Sequence, residues 1–333
     1  MSDNMPNREV LEHYGIEREK IRSINPAGKV GNPIIKIWFV EEHETNNVYV
    51  LKVVKPKHKW FPIKLQHLLN KKGFGAPAVY KTKKDELYVE KEEGCYFLSE
   101  YIEPAGKLST IQRVKALADF HQLARFSELK EMEEKIQFPT VDEFKASYRD
   151  KLRDMQGWHS SLKNEHVKAG LEEMIMQAEE SIKRIEACDI NSYINQVKER
   201  NNICHGDYNA RNSYLNKEGE IMVIDYDRAY YGLPMDDFRY LVYSLSNRSE
   251  HVEKLDFLFD NYFNFCPEDE AYESLYAADT IFPHRIHKEI TRYLKTKKLK
   301  KLEKEETVLE GLTNWIESEI RKREYVLQRY SES

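Results

Sequence analysis

Glycine is sparse in this chain, 13 residues in 333, which leaves little room for flexible linkers. Cysteine is sparser: Cys95, Cys188, Cys204 and Cys266 stand far apart, with no CxxC pair. That spacing excludes the usual zinc frameworks and a disulfide scaffold, so a reduced, cytoplasmic context is expected. No apolar run approaches the roughly 18–20 residues a membrane-spanning helix needs, and no membrane partner is expected. The N-terminal MSDNMPNREVLEHYG is polar and has no signal-peptide core. A basic surplus is missing too. Lysine and arginine number 52 against 57 aspartates and glutamates, a net charge of −5. A protein built mainly to bind nucleic acid needs the opposite balance. The Lys-rich run LKTKKLKKLEK, residues 294–304, reads as the solvated face of a terminal helix; a role in holding an acidic substrate or partner is the minor alternative.

Hydrophobic residues make up 41% of the chain and charged residues 33%, the balance of a globular, soluble protein with a heavily charged surface. Its length suits two lobes rather than one small core. The rest of the chain is organised around residues 202–227, NICHGDYNARNSYLNKEGEIMVIDYD. A short apolar lead, Ile203-Cys204, runs into His205-Gly206-Asp207 and then Asn212. Turn chemistry at Asn216-Lys217-Glu218-Gly219 separates this half from a second apolar run, Ile221 to Ile224, which ends on Asp225 and Asp227. The order reads as loop, strand, tight turn, strand. Such a hairpin brings Asp207, Asn212 and Asp225 to one end of the sheet. Two carboxylates and an amide oxygen there can hold Mg²⁺ and orient a hydroxyl nucleophile, which is most of what phosphoryl transfer asks of a protein. A purely structural Asp-rich hairpin with capping residues is the plain alternative.

The pattern HGD-x-x-x-x-N, then a hydrophobic strand ending in Ile-Asp, resembles the aminoglycoside phosphotransferase and choline kinase-like family, a branch of the protein-kinase-like fold. The resemblance implies an α+β, bilobal protein-kinase-like fold. Residues 1–102 would form a small nucleotide-binding lobe with an antiparallel sheet and one main helix. Residues 103–333 would form a larger, mostly helical lobe carrying the catalytic β-hairpin and the acceptor site. It implies Asp207 as catalytic base, Asn212 and Asp225 as Mg²⁺ ligands, and ATP or GTP with Mg²⁺ as cofactors. His205 would orient the loop. Asp227 would be a further acidic contact to metal or to a cationic acceptor. Asp237, in GLPMDDFR, would brace the catalytic loop, a simple helix-capping role being nearly as good a reading.

The order of the remaining segments follows. Helical spacing predicts a short helix over 7–14, stopped by Gly15. The type of the stretch holding Ile16, Ile21 and Ile24 stays open, and Asn25 to Pro33 reads as a loop. Strands are predicted over 34–40 and 48–54. Gly28 and Gly31 do not make a GxGxxG loop, and an ordinary turn reads them as well. Lys52, inside the apolar strand VLKVV, needs either a charged partner or an exit to solvent. In the kinase-like reading it meets the nucleotide phosphates, with Lys55 as the fallback. The helix over 61–72 carries no glutamate, although one on this helix commonly pairs with the strand lysine in the family; Gln66 is the nearest substitute. Strands are expected over 87–90 and 95–98, then a hinge at Glu100, Tyr101 and Ile102, whose backbone would bond the base. A helix over 109–126 carries His121, read as a packed structural histidine. Residues 127–200 are charged and helical, and helices follow over 252–265 and 270–280.

The segments IKIWF, LLNKKGFGAP and GLPMDDFR resemble the spore-coat CotS-like branch more than the drug-resistance enzymes. Two function classes therefore stand side by side. One is an ATP/Mg-dependent phosphotransferase acting on a hydroxyl of a small molecule (aminoglycoside, sugar or amino alcohol) or of a peptide. The other is a catalytically weak or inactive kinase-like scaffold of the spore-coat type, suggested by the missing helix glutamate.

Overall fold

A computed structural model describes residues 8–26, 37–43, 47–54, 60–161, 165–246, 254–295 and 306–331. Two compact units result, one of residues up to Ile136 with Ile203–Tyr231, the other of Gln137–Asn202 with the chain from Gly232 onward.

The first unit is built on a five-stranded antiparallel sheet. Its strands are β1 (Ile21–Pro26), β2 (Ile37–Glu42), β3 (Val48–Val54), β4 (Val89–Lys91) and β5 (Gly94–Glu100), in the order β1-β2-β3-β5-β4. The pleat of β3 sorts its side chains. Leu51 and Val53 join Trp38, Val40, Tyr96 and Leu98, and α1 (Arg8–His13) caps that face with Val10 and Leu11. Val54 joins Cys95 and Phe97 on the other face, under Ile63 of α2 (Phe61–Lys71). Lys52 pairs across the ladder with Ile37 and Phe97, so the pleat puts it on the α2 face. β1 occupies the stretch whose type the sequence left open and runs two residues into the expected loop. It is an edge strand with no fully buried residue, so its apolar alternation is weak. The first part of the expected 34–40 strand, the loop holding Gly28 and Gly31, and Lys55 lie outside the described residues.

The same unit holds α3 (Thr110–Leu123), started by a capping box in which Ser109 and Gln112 exchange side-chain and backbone bonds. His121 is buried on it. Beyond come the short pairs β6 (Ile203–Cys204) with β9 (Tyr230–Tyr231), and β7 (Ser213–Leu215) with β8 (Ile221–Val223). The β7–β8 turn is closed by the Asn216 side chain, which accepts from Glu220 N–H at 2.7 Å and donates to the Glu220 carboxylate at 2.9 Å. Gly75 anchors this hairpin. Its carbonyl accepts from Val223 N–H at 2.7 Å, and a Cβ there would lie 1.8 Å from the Ile221 carbonyl oxygen, a space only glycine can leave.

The second unit is helical: α4 (Val141–Ser161), α5 (Glu165–Glu186), α6 (Ile190–Glu199), α7 (Pro234–Ser246), α8 (Lys254–Phe265), α9 (Glu273–Ile281), α10 (His284–Lys295) and α11 (Glu306–Ser331). Apolar residues at helical spacing are buried at Phe144, Tyr148 and Met155 on α4, and at Val167, Leu171, Met174 and Ala178 on α5. α5 packs against α4, α9 and α11. Within this core the Asp279 carboxylate accepts from Tyr148 at 2.5 Å, from Arg239 at 2.7 and 3.0 Å, and meets His284 Nε2 at 2.7 Å. The Lys-rich run beyond Lys295 lies outside the described residues. Among the described residues no helix is long and apolar enough to cross a membrane.

Candidate active site

The HGD turn is held by its own histidine. Asp207 N–H donates to His205 Nδ1 at 3.3 Å, so Nδ1 is an acceptor. Nε2 lies 3.0 Å from the Ile224 carbonyl oxygen, so the proton sits there. The imidazole is buried among the rings of Phe120, Tyr208 and Tyr226. It links the residue that carries the expected base to the residue before Asp225. Gly206 between them has φ +74°, and a Cβ there would stand 2.3 Å from the Arg228 carbonyl oxygen. No other residue type fits that approach without moving backbone.

Asn212 fastens the far end of the loop. Its Nδ2 donates to the Asp207 carbonyl at 2.9 Å, and its own carbonyl accepts from Ile224 N–H at 2.9 Å. Asn209 adds a bond to the same Asp207 carbonyl at 2.9 Å and one to the Asp207 carboxylate at 3.2 Å. The Arg228 guanidinium stands 4.0 Å from that carboxylate.

Lys52 leaves its strand for two carboxylates. Its Nζ lies 2.8 Å from Asp225 Oδ1 and 2.7 Å from Asp227 Oδ1. Burial by itself pulls the ammonium pKa down, but Asp227 and Asp225 outweigh it, and the group is held above its ordinary value. For Asp225 burial works upward, and the nearby Lys52, then Arg228, carry its pKa below the usual carboxylate range. The lysine therefore stays charged in a place where an unpaired ammonium would be expelled. Asp225 itself is left-handed, φ 68° and ψ 66°, an uncommon state for a non-glycine residue.

The chemistry of these donors fits a hard divalent cation. The Asn212 amide spends its NH₂ on Asp207, which leaves Oδ1 as its ligating atom, and Asp225 supplies a carboxylate. Among the described residues no three His, Cys, Asp or Glu side chains gather as a closed cage. A cation held by Asn212 and Asp225 would complete its shell with water and ligand oxygens, as Mg²⁺ characteristically does.

At the expected hinge, Glu100 ends β5 with its N–H on the Ala78 carbonyl at 2.9 Å and its carboxylate on Ala78 N–H at 3.2 Å. Tyr101 sets its ring against Phe39, and the Ile102 carbonyl accepts from Tyr214 at 3.1 Å. These three residues border an open hollow of about 570 Å³ that reaches the Asn216–Glu220 turn. Neither Lys52 nor Asp225 lines it, so cavity size alone does not find the acidic end. Asp237 is fully buried in the first turn of α7, in the second unit.

Two contacts escaped sequence reasoning. Gln66 is not a partner of the strand lysine: it is buried, and its Nε2 donates to the Pro77 carbonyl at 2.9 Å. Lys135 is buried and donates to the carbonyls of Asp227 at 3.4 Å and Ala229 at 2.9 Å, clasping the turn after β8. Nothing in the charged stretch around Lys135 distinguishes it from its solvated neighbours.

Comparison with known proteins bears on this geometry. The model of the phosphotransferase enzyme family, APH, matches residues 38–270, more than two-thirds of the chain. An aminoglycoside phosphotransferase from Alicyclobacillus acidocaldarius superposes with a TM-score of 0.75 at 15% identity, covering 100% of this chain and 97% of that one. A spectinomycin phosphotransferase in complex with ADP and spectinomycin superposes with a TM-score of 0.63 at 14% identity, covering 97% of this chain and 100% of that one. At such identities the likeness speaks for the fold: mixed α+β, with an antiparallel N-terminal sheet and a helical C-terminal region.

Proposed function

The chain belongs to the phosphotransferase enzyme family, and from that premise we propose that it moves the γ-phosphoryl group of ATP or GTP to a hydroxyl of a small molecule or peptide. An aminoglycoside, a sugar or an amino alcohol is the expected class of small acceptor. The observation that carries this reading is the pairing of Lys52 with Asp225, 173 residues apart, next to a loop that His205 and Asn212 lock to Ile224. A buried lysine, an acidic strand end and a tethered Asp in one place are the positioning and charge-handling parts of phosphoryl transfer.

In this reading Lys52 holds the nucleotide phosphates, and the backbone of Glu100, Tyr101 and Ile102 bonds the base. Asn212 and Asp225 hold Mg²⁺, which supplies neutralisation of phosphate charge. Asp207 accepts the acceptor's hydroxyl proton while the new O–P bond forms and the bond from the γ-phosphorus to the β,γ-bridging oxygen breaks, releasing the nucleoside diphosphate. His205 keeps the Asp207 backbone in register, and Asp237 braces the loop. A related fold that holds ADP and spectinomycin supports a nucleotide and a small acceptor as the two partners. Division into a nucleotide lobe at 1–102 and a catalytic lobe at 103–333, a cytoplasmic location and no nucleic-acid or membrane partner belong to the same proposal.

The CotS-like branch, with a spore-coat location, is the finer placement that IKIWF, LLNKKGFGAP and GLPMDDFR favour. One observation favours a weak or inactive scaffold: α2 carries no glutamate for Lys52. Thermal-shift titration with ATP and GTP, with and without Mg²⁺, on wild type and Asp225→Asn tests both readings. The expected result is a Mg²⁺-dependent rise in melting temperature that Asp225→Asn loses. No rise with either nucleotide would leave the scaffold.

A further inference from the structure

We infer that Asp227 is the positioning residue of Lys52, holding the lysine in place from the turn after β8 in the absence of a glutamate on α2. The inference rests on the proposed contact of Lys52 with phosphate. Lys52 is 7% exposed, and a buried ammonium needs a fixed negative partner to keep its place. It has two, and they differ in what they are free to do. The Asp225 side chain is 43% exposed and is the carboxylate that meets the cation in the proposed reaction. The Asp227 side chain is 12% exposed and faces the lysine at 2.7 Å.

The turn that carries Asp227 is built to stay put. It is a short 3-10 segment, Tyr226–Arg228, pinned by Tyr226 Oη on the Val223 carbonyl at 2.8 Å and by Lys135 on the carbonyls of Asp227 and Ala229. The helix on the sheet face that Lys52 shares offers no carboxylate. Its sequence is FPIKLQHLLNK, and its one buried polar residue, Gln66, is committed to Pro77. When Asp225 turns to cation and phosphate, Asp227 is the carboxylate left to aim the ammonium. Its contribution to the reaction is therefore made through Lys52, not by contact with substrate.

Equilibrium binding of a non-hydrolysable ATP analogue and of adenosine separates this role from mere support of the fold. Five proteins are needed: wild type, Asp227→Asn, Asp227→Glu, Lys52→Met and the variant that combines Asp227→Asn with Lys52→Met. Asp227→Asn is expected to weaken the ATP analogue roughly tenfold, the usual scale for losing a group that orients a ligand-binding side chain. Adenosine, which has no phosphates, is expected to bind unchanged and so reports an intact fold in each variant. In the Lys52→Met background Asp227→Asn is expected to cost nothing more, because the two changes remove one interaction. Asp227→Glu, which keeps the charge and shifts it by one methylene, is expected to lose less than Asp227→Asn.

Lys52→Met weakening the analogue while Asp227→Asn leaves it unchanged would overturn the role of Asp227 alone. An equal cost of Asp227→Asn with and without Lys52, or an equal loss of adenosine, would overturn it as well, by showing a structural effect. Undiminished binding of the analogue by Lys52→Met would remove the phosphate contact itself, and the positioning role with it.

Discussion

His205 presents Nε2 to the carbonyl oxygen of Ile224 at 3.0 Å, joining the loop that carries Asp207 to the strand end that carries Asp225. The same ring accepts the Asp207 N–H at Nδ1, so one neutral imidazole sets the spacing of two acidic residues. Truncating it removes both bonds and opens a hole among three aromatic rings. His205→Ala is expected to destabilise the protein by about 2–4 kcal/mol, read from chemical denaturation. A change below about 0.5 kcal/mol, the scale of ordinary surface substitutions, would mean that the ring is not a linchpin of the loop.

Gly206→Ala places a methyl group against the Arg228 backbone at a positive φ. Both effects act in the same direction, and a loss of more than about 1 kcal/mol is expected. Because the displaced segment leads back to Asp227 and Asp225, affinity for nucleotide is expected to fall with stability. Retention of wild-type melting temperature would show that Arg228 yields freely.

Gln66→Glu would write the family's helix glutamate into α2. In this chain the position is buried and the amide donates to Pro77 O. The variant loses a donor and gains a charge without a partner, so it is expected to lose about 1–3 kcal/mol of stability rather than gain activity. Denaturation and phosphotransfer rates measured side by side check both halves of the statement.

The stability of the helical unit is expected to depend on His284. Burial first, then Arg239 and Lys151, push its pKa well below the ordinary value, against the pull of Asp279. Lys151, partly buried beside it, is itself lowered to about 8 by desolvation and then by Arg239. In the unfolded chain His284 takes up a proton below about pH 6.5; in the folded chain it stays neutral. The unfolded state then binds more protons, so stability falls as pH drops through that value, by up to about 1.4 kcal/mol per pH unit for this one group. Asp279, whose pKa is lowered because Arg239 and His284 outweigh its burial, keeps its contribution throughout that range. His284→Asn is expected to flatten the stability curve between about pH 5 and 6.5. An unchanged slope would place the titration elsewhere.

How far the sequence carried the reading depended on distance along the chain. The β7–β8 hairpin was legible because its turn chemistry and its apolar run are local, and the structure places the turn at Asn216–Glu220 as the letters suggest. Lys52 was legible as a charge in need of a partner, since the six other residues of β3 are all apolar or aromatic. Its partners were not, because a contact spanning 173 residues leaves no periodicity to read. β1 was missed for a different reason: an edge strand buries too little on either face to force an alternating pattern. Lys135 looked like any solvated lysine, and only the carbonyls it meets make it distinct.

The interleaving of the first unit has a consequence for synthesis. Residues 137–202 stand between the sheet and the segment Ile203–Tyr231 that folds with it. Lys52 leaves the ribosome 173 residues before Asp225. At ordinary translation speed that is roughly 10–35 s during which the nascent sheet carries an amine with neither carboxylate yet made. The strand that holds the lysine can settle into its final depth only when the acidic turn arrives, so the arrival of Asp225 and Asp227 sets the clock for completing the N-terminal sheet.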